Sequence, residues 1–148
     1  ISQTTIAVDG IRDPGNLGTI IRLCDWFGIN ELLCSLSTVD CFNSKTVQSS
    51  MGSLVRVTCY YKDDLSKYLK SLNKPIIGAE SEGKSIYSIQ LPKSASYIFG
   101  SESQGLSQEI KSIIDHSLAI PNYRVEKGAE SLNVSVAAAI FLGEIYRP

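Results

Sequence analysis

The 148-residue sequence has few of the residues on which metal and disulfide chemistry depend. It contains one histidine, His116, and four cysteines that never fall into a C-x-x-C spacing: Cys24, Cys34, Cys41 and Cys59. Zinc clusters use closer ligand spacings and usually more histidines, so we expect no metal site. An even number of cysteines would allow disulfides. Because Cys24 and Cys34 fall in predicted core elements, we interpret all four as buried, reduced thiols.

The sequence also lacks an apolar run near the roughly 20 residues that a membrane-spanning helix needs. No basic and then apolar signal peptide opens the chain. We therefore expect a cytoplasmic protein that does not associate with membranes. The first residue is Ile1 rather than methionine, which indicates a piece of a longer protein or a processed one.

Neither sign of charge predominates. The 14 Lys and Arg residues nearly balance the 15 Asp and Glu residues, for a net charge of −1 and a pI near 5.8. This balance disfavours a small polycationic nucleic-acid binder but leaves room for a local basic patch. The 43% hydrophobic and 20% charged content excludes disordered and fibrous proteins. The length fits one compact domain.

Strand and helix patterns alternate along the chain. Strands are predicted at residues 5–9, 31–36, 54–60, 75–79, 96–99 and 118–120. Helices are predicted at residues 16–27, 43–51, 108–115 and 132–146, with another that Asp63 would cap. This alternation predicts an α/β fold with a parallel six-stranded sheet flanked by helices.

Ligands of such sheets bind beyond the carboxyl ends of the strands, so the loops there are the places to seek function. The first unusual loop is residues 9–22, DGIRDPGNLGTIIR. A glycine-rich turn that leads into a helix can bind an anion. The loop is neither a G-x-G-x-x-G fingerprint nor a P-loop, which disfavours a nucleotide-binding oxidoreductase. Asn16 is either a site residue or a helix cap, and Arg22 is either functional or a solvated surface residue.

The second unusual loop is residues 98–107, IFGSESQGLS. It places one carboxylate, Glu102, between Gly100 and Gly105. Glycines allow a ligand to approach the main chain. Glu102 could accept hydrogen bonds from a ligand or from main-chain N–H groups, and the alternative is a plain strand-to-helix turn.

The third unusual segment runs from residue 118 to residue 139. Ser131 is the predicted cap of the last helix. Asn133 and Ser135 are polar residues in an otherwise apolar helix, and each needs a partner because unpaired burial costs about 1–3 kcal/mol. The alternative is a capped core helix that follows a solvated loop, residues 122–130.

In their order and content these segments resemble the SpoU (TrmH-like) branch of the SPOUT class of RNA methyltransferases. The resemblance rests on residues 13–22, 99–106, 120–121 with 131–137, and the S-M-G-S of residues 50–53. Two features depart from the family pattern. The link after Pro121 is longer than usual and begins with Asn122 instead of methionine, and Gln48 replaces a common arginine.

The resemblance implies a C-terminal trefoil knot and one catalytic domain over residues 1–148, with an N-terminal RNA-binding domain absent from this chain. It implies a homodimer whose active sites are completed across the interface. The cofactor would be S-adenosylmethionine, the product S-adenosylhomocysteine, and the reaction methylation of a ribose 2′-hydroxyl of tRNA or rRNA without a metal. The alternative function is a non-catalytic knotted relative that binds RNA.

The resemblance also implies residue roles. Arg22 would lie beside the reacting hydroxyl, as a phosphate and ribose positioner or as a general base. Because guanidinium groups stay protonated in proteins, we favour positioning. Asn16, Glu102, Ser131 and Asn133 would complete the catalytic group. The cofactor would be held largely by main chain, at Ala79, Gly100, Glu102, Gly105, Ile120, Ser131 and Leu132.

Overall fold

A computed structural model describes residues 3–148 as a parallel six-stranded sheet with the strand order β3-β2-β1-β5-β4-β6. The strands are β1 (Thr5–Asp9), β2 (Glu31–Ser35), β3 (Thr58–Lys62), β4 (Ile76–Ser85), β5 (Ser96–Gly100) and β6 (His116–Ala119). The helices are α1 (Pro14–Trp26), α2 (Ser44–Ser49), α3 (Leu65–Ser71), α4 (Gln108–Lys111) and α5 (Val134–Ile145), with a 3-10 helix at Ser53–Val55. The predicted α/β fold with a six-stranded parallel sheet is confirmed.

Both faces of the sheet carry a core, because side chains alternate along each strand. Ile6 and Val8 of β1 belong to the cluster that includes α1 and α5. Ala7, between them, belongs to the opposite cluster, which includes α3 and α4. Burial on both faces explains why the central strands are almost continuously apolar.

Three predicted elements were clearly wrong in their bounds. The strand predicted at residues 75–79 continues to Ser85, with an irregularity in its pairing with β6 after Ala79, so Ala79 is not at its end. The strand predicted at residues 54–60 begins only at Thr58, because Ser53 donates a hydrogen bond to Asp25 Oδ2 (2.8 Å) and the segment before the strand turns against α1. The helix predicted at residues 108–115 ends at Lys111. Beyond it, Asp115 Oδ2 accepts the N–H of Ile76 (2.8 Å), which ties this segment to the start of β4.

Helix α5 packs against α1 and against β5 in the centre of the sheet. The ring of Phe141 meets Phe99 of β5 edge-on, with centroids 5.4 Å apart. At the other end, Tyr146 contacts Phe27, just beyond α1, at 5.3 Å. This packing holds the N-terminus of α5 beside the loops that follow β1 and β5.

All four cysteines are free thiols, as predicted, but only three of them are buried. Cys24, Cys34 and Cys41 are buried, whereas Cys59 is half-buried. Burial raises the pKa of Cys41 to about 11 and also raises that of Cys24. Thiols of this kind are poor nucleophiles near neutral pH. Among the described residues, no helix has the length and apolar character to cross a membrane.

Helices α1 and α2 touch at Gly18, and this contact generates a test of the fold. A Cβ at Gly18 would lie 1.8 Å from Ser49 Oγ and 2.7 Å from the carbonyl oxygen of Thr46. We expect Gly18→Ala to lower the free energy of unfolding, measured in urea, by about 1–3 kcal/mol. The control is Gly143→Ala in α5, where a Cβ meets no atom within 4 Å and stability should hold or rise. Equal stability of Gly18→Ala and the unsubstituted protein would contradict the contact.

Candidate active site

The loops after β1 and β5 meet the N-terminus of α5 at the carboxyl edge of the sheet. Between them lies a cavity of about 540 Å³. Its lining includes three of the predicted site residues, Asn16, Glu102 and Gly105, and also Val134. Parallel strands direct these loops to one edge, where ligands of open α/β sheets bind.

Asn16 is placed by the start of α1. The cap of this helix is Asp13, whose Oδ1 accepts the N–H of Asn16 at 2.9 Å, and Pro14 occupies the first turn. The side chain of Asn16 is therefore not needed as a cap. Its Oδ1 accepts a hydrogen bond from Asn133 Nδ2 (2.9 Å), across 117 positions of sequence.

Asn133, not Ser131, caps α5, so the predicted cap was wrong. Asn133 Oδ1 accepts the N–H groups of Ser135 (3.0 Å) and Val136 (3.3 Å), and the helix begins at Val134. Ser135 also donates its hydroxyl to the same oxygen at 2.5 Å. The two polar residues that looked out of place in an apolar helix are thus each other's partners.

Glu102 joins the second loop to α5. Its Oε1 accepts the N–H of Val134 at 2.9 Å. A carboxylate at a helix N-terminus is stabilised by the unpaired N–H groups there. The loop itself is tight, because a Cβ at Gly100 would lie 2.4 Å from the carbonyl carbon of Gly105, whose φ is +66°. Glycine is required at both positions.

Asp9 is a site residue that the sequence reasoning missed. It is only 7% exposed, lines the cavity, and accepts the N–H of Ser107 through Oδ2 at 2.7 Å. Ser107 in turn caps α4. The signal in the sequence was a lone carboxylate that ends a buried, apolar strand.

Arg22 lies apart from this network. It is exposed on α1, six residues after Asn16, and does not line the cavity. Within residues 3–148, no hydrogen bond or ion pair joins its guanidinium to another side chain. Its charge is therefore available to a ligand.

Three of the residues predicted to hold the cofactor do not line the cavity and lie in or directly after neighbouring strands: Ala79 within β4, Gly100 at the end of β5 and Ile120 just after β6. Ala79 of β4 stands in register with Phe99 of β5 and Leu118 of β6. Gly100 and Ile120 come one and two residues after these partners. The three residues are all half-buried. They therefore form a second region of the edge, adjoining the cavity through the loop after β5.

Ser131 and Leu132 are exposed in the segment just before α5. They directly precede the cap residue Asn133, but neither lines the cavity.

No group of three or more His, Cys, Asp or Glu side chains within residues 3–148 is arranged to hold a metal ion.

The choice of Asn133 over Ser131 as the cap of α5 generates a test of this geometry. We expect Asn133→Ala to lower the free energy of unfolding by about 0.5–2 kcal/mol, because the cap is lost. Asn133→Asp should keep most of that stability, since its carboxylate can accept the same N–H groups, while it removes the Nδ2 donor to Asn16. Ser131→Ala is the matched control and should leave the urea denaturation midpoint unchanged. A larger loss in Ser131→Ala than in Asn133→Ala would contradict the cap.

Known proteins are similar to this chain in sequence and in fold. The SpoU rRNA Methylase family model matches residues 3–143. The 23S rRNA (guanosine(2553)-2'-O)-methyltransferase RlmP of Bacillus subtilis (strain 168) is 34% identical over 146 residues, covering 95% of this chain and 57% of its own.

Solved structures of family members have a similar fold. A TrmH-family protein of Porphyromonas gingivalis superposes with a TM-score of 0.89 at 38% identity, over 99% of this chain and 60% of its own. The SpoU methyltransferase AviRb of Streptomyces viridochromogenes, in complex with the cofactor AdoMet, gives 0.83 at 26% identity, over 99% of this chain and 61% of its own.

The chain thus spans less than two thirds of the length of these relatives. The family model, by contrast, matches almost the whole chain, including all three loops at the carboxyl edge. The chain belongs to the SpoU rRNA methylase family.

Proposed function

We propose that this chain catalyses the transfer of a methyl group from S-adenosylmethionine to a ribose 2′-hydroxyl of rRNA or tRNA. The observation that carries the proposal is the pair of hydrogen bonds Asn133–Asn16 and Glu102–Val134, which join the three motif loops around one cavity. The activity named for RlmP of Bacillus subtilis supports the same reaction class.

The residues Ala79, Gly100 and Ile120, in or directly after neighbouring strands, fit the cofactor. Ala79 and Ile120 offer half-buried apolar surface, and the main-chain contact of Gly100 with Gly105 leaves no room for a side chain between them. These residues, with Leu132, would hold S-adenosylmethionine largely through main chain. The AdoMet complex of AviRb supports the identity of the cofactor. When bound, the cofactor supplies a methyl group on a positively charged sulfur, and its product is S-adenosylhomocysteine.

The chain's own contribution is positioning, which can supply much of the acceleration in a two-reactant displacement. Arg22 would bind the phosphate beside the target ribose, for which its planar fork of donors is suited. Because a guanidinium keeps its proton, we assign it orientation rather than proton removal. Asn16, held by Asn133, would orient the ribose hydroxyl. Glu102 would keep the second loop against α5, and Ser131 would contact the reacting centre from the segment before the helix.

We further propose that the C-terminal part forms the trefoil knot of the family. The path of the chain supports this. After β6, at the edge of the sheet, the chain returns to the middle and packs α5 against α1 and β5. On the way it bonds to the loop after β5 through Glu102. True knots are otherwise nearly absent from proteins.

We also propose a cytoplasmic homodimer in which residues 1–148 are one catalytic domain. Apolar side chains flank the cap of α5 and face solvent, with Leu132 46% and Val136 47% exposed. A partner subunit that covers them would complete the site. With a net charge of −1, this domain offers little general attraction for RNA, so we assign most phosphate contacts to the partner or to an N-terminal RNA-binding domain outside this chain.

The role of Arg22 generates the central test of the proposed activity. We expect Arg22→Ala to lower methyl transfer about 100-fold or more, because the ribose is no longer positioned. The measurement is transfer of tritiated methyl from S-adenosylmethionine to unmodified transcripts of the host's 23S rRNA and tRNAs, by the full natural chain. S-adenosylmethionine binding, followed by calorimetry, should not change.

Arg147→Ala is the matched control, since Arg147 is exposed beyond the opposite end of α5 and should leave transfer unchanged. Near-complete activity of Arg22→Ala would contradict the proposal. Failure of the unsubstituted protein to bind S-adenosylmethionine would favour the non-catalytic RNA-binding alternative.

The exposed apolar start of α5 generates a test of the dimer. We expect a sedimenting mass near twice the 16.1 kDa of this chain at micromolar concentration. Val136→Glu should shift the equilibrium to monomers, because it buries a charge in the interface. Ile89→Glu, at a similarly exposed apolar residue between β4 and β5, is the control. A monomer of the unsubstituted chain would contradict the dimer.

A further inference from the structure

Arg22 shares one face of α1 with an acidic residue, Asp25. Side chains three positions apart on a helix are neighbours, and opposite charges at this spacing attract. Asp25 is therefore the natural partner for the guanidinium of Arg22. In the structure the two side chains nonetheless form no ion pair.

The carboxylate of Asp25 is already occupied. Arg56 donates from Nε to Oδ1 (2.9 Å) and Oδ2 (3.0 Å), and from Nη2 to Oδ2 (2.7 Å). Ser53 donates its hydroxyl to Oδ2 at 2.8 Å. The hydrogen bonds from Arg56 and then from Ser53 hold the pKa of Asp25 below its usual value, so the carboxylate stays ionised and paired.

A turn places Ser53 and Arg56, the two residues that donate to Asp25, against α1. Met51 and Gly52 have φ angles of +50° and +85°, and this left-handed step leads into the 3-10 helix that begins at Ser53. The turn is the S-M-G-S of residues 50–53, which the proposed chemistry leaves without a role. Stability is a weak reason for such an arrangement, because exposed ion pairs contribute little, and the side chain of Arg56 is 58% exposed.

We propose that Ser53 and Arg56 are positioning residues that neutralise Asp25 and so keep Arg22 free to bind the RNA backbone. This inference rests on the proposed role of Arg22. Without Arg56, Asp25 would compete with the RNA phosphate for the guanidinium of Arg22. The uncompensated carboxylate would also repel the phosphate.

The first variant removes the donor. We expect Arg56→Met to lower kcat/KM for transfer to the same rRNA and tRNA transcripts about two- to fivefold, the size of an exposed ion pair. S-adenosylmethionine binding should not change. Relative to the unsubstituted protein, the loss should shrink as ionic strength rises, because salt screens the Asp25–Arg22 attraction.

The second variant removes the competitor. Asp25→Asn should leave transfer near that of the unsubstituted protein, and Asp25→Asn together with Arg56→Met should restore it, because no carboxylate remains to capture Arg22. This double variant has the same net charge as the unsubstituted pair. Arg56→Lys, which still neutralises Asp25, should also stay active.

Two outcomes would overturn the inference. If the Asp25–Arg56 pair only ties the 3-10 helix to α1, Asp25→Asn should impair transfer as much as Arg56→Met. If Arg56 itself binds RNA, the double variant should stay impaired. Arg22→Ala, assayed in parallel, separates the proposed role of Arg22 from the inference about Asp25. If Arg22→Ala retains transfer, the proposed role of Arg22 fails. If Arg22→Ala abolishes transfer and the double variant does not restore it, only the inference about Asp25 fails.

Discussion

The amide of Asn133 is the interaction on which the site geometry depends. An asparagine side chain offers an acceptor at one end and two donors at the other. Here the acceptor caps α5, and a donor reaches Asn16 near the start of α1. The position at which α5 begins and the position of Asn16 are therefore set together. Glu102 accepts the N–H of Val134, the first residue of the same helix, so the loop after β5 is placed by the same helix end.

Most of the sheet could be predicted from the sequence, because each central strand is buried on both faces and its apolar run is unambiguous. The cap of α5 could not. Serine and asparagine are both good caps, and the choice of Asn133 over Ser131 depends on Asn16, 117 positions away. The same holds for residues 54–57, where the pattern favours a strand but the bond from Ser53 to Asp25 prevents one. Asn16 and Glu102 were candidates from the composition of their loops and received roles from the resemblance, whereas Asp9 was not singled out by either.

Acidic residues around the cavity share one arrangement. Asp9, Asp13 and Glu102 each accept a backbone N–H at or next to a helix start, from Ser107, Asn16 and Val134 respectively. The unpaired N–H groups of a helix start stabilise negative charge. These carboxylates therefore order the loops without presenting their full charge to an anionic ligand. An overall charge of −1 is in this way compatible with a phosphate-containing substrate.

Asp25 needs a different solution, because it lies in the last turn of α1, where the partial charge of the helix is negative and disfavours a carboxylate. No helix start is available to neutralise it, and a side chain must do so. Arg56 supplies that charge from the end of the 3-10 helix. The three acids of the cavity are thus paired with main chain and Asp25 with Arg56, while Arg22 is left unpaired among the described residues. In the proposed reaction, an RNA phosphate would therefore meet one free guanidinium instead of a balanced ion pair, which would favour its binding at Arg22.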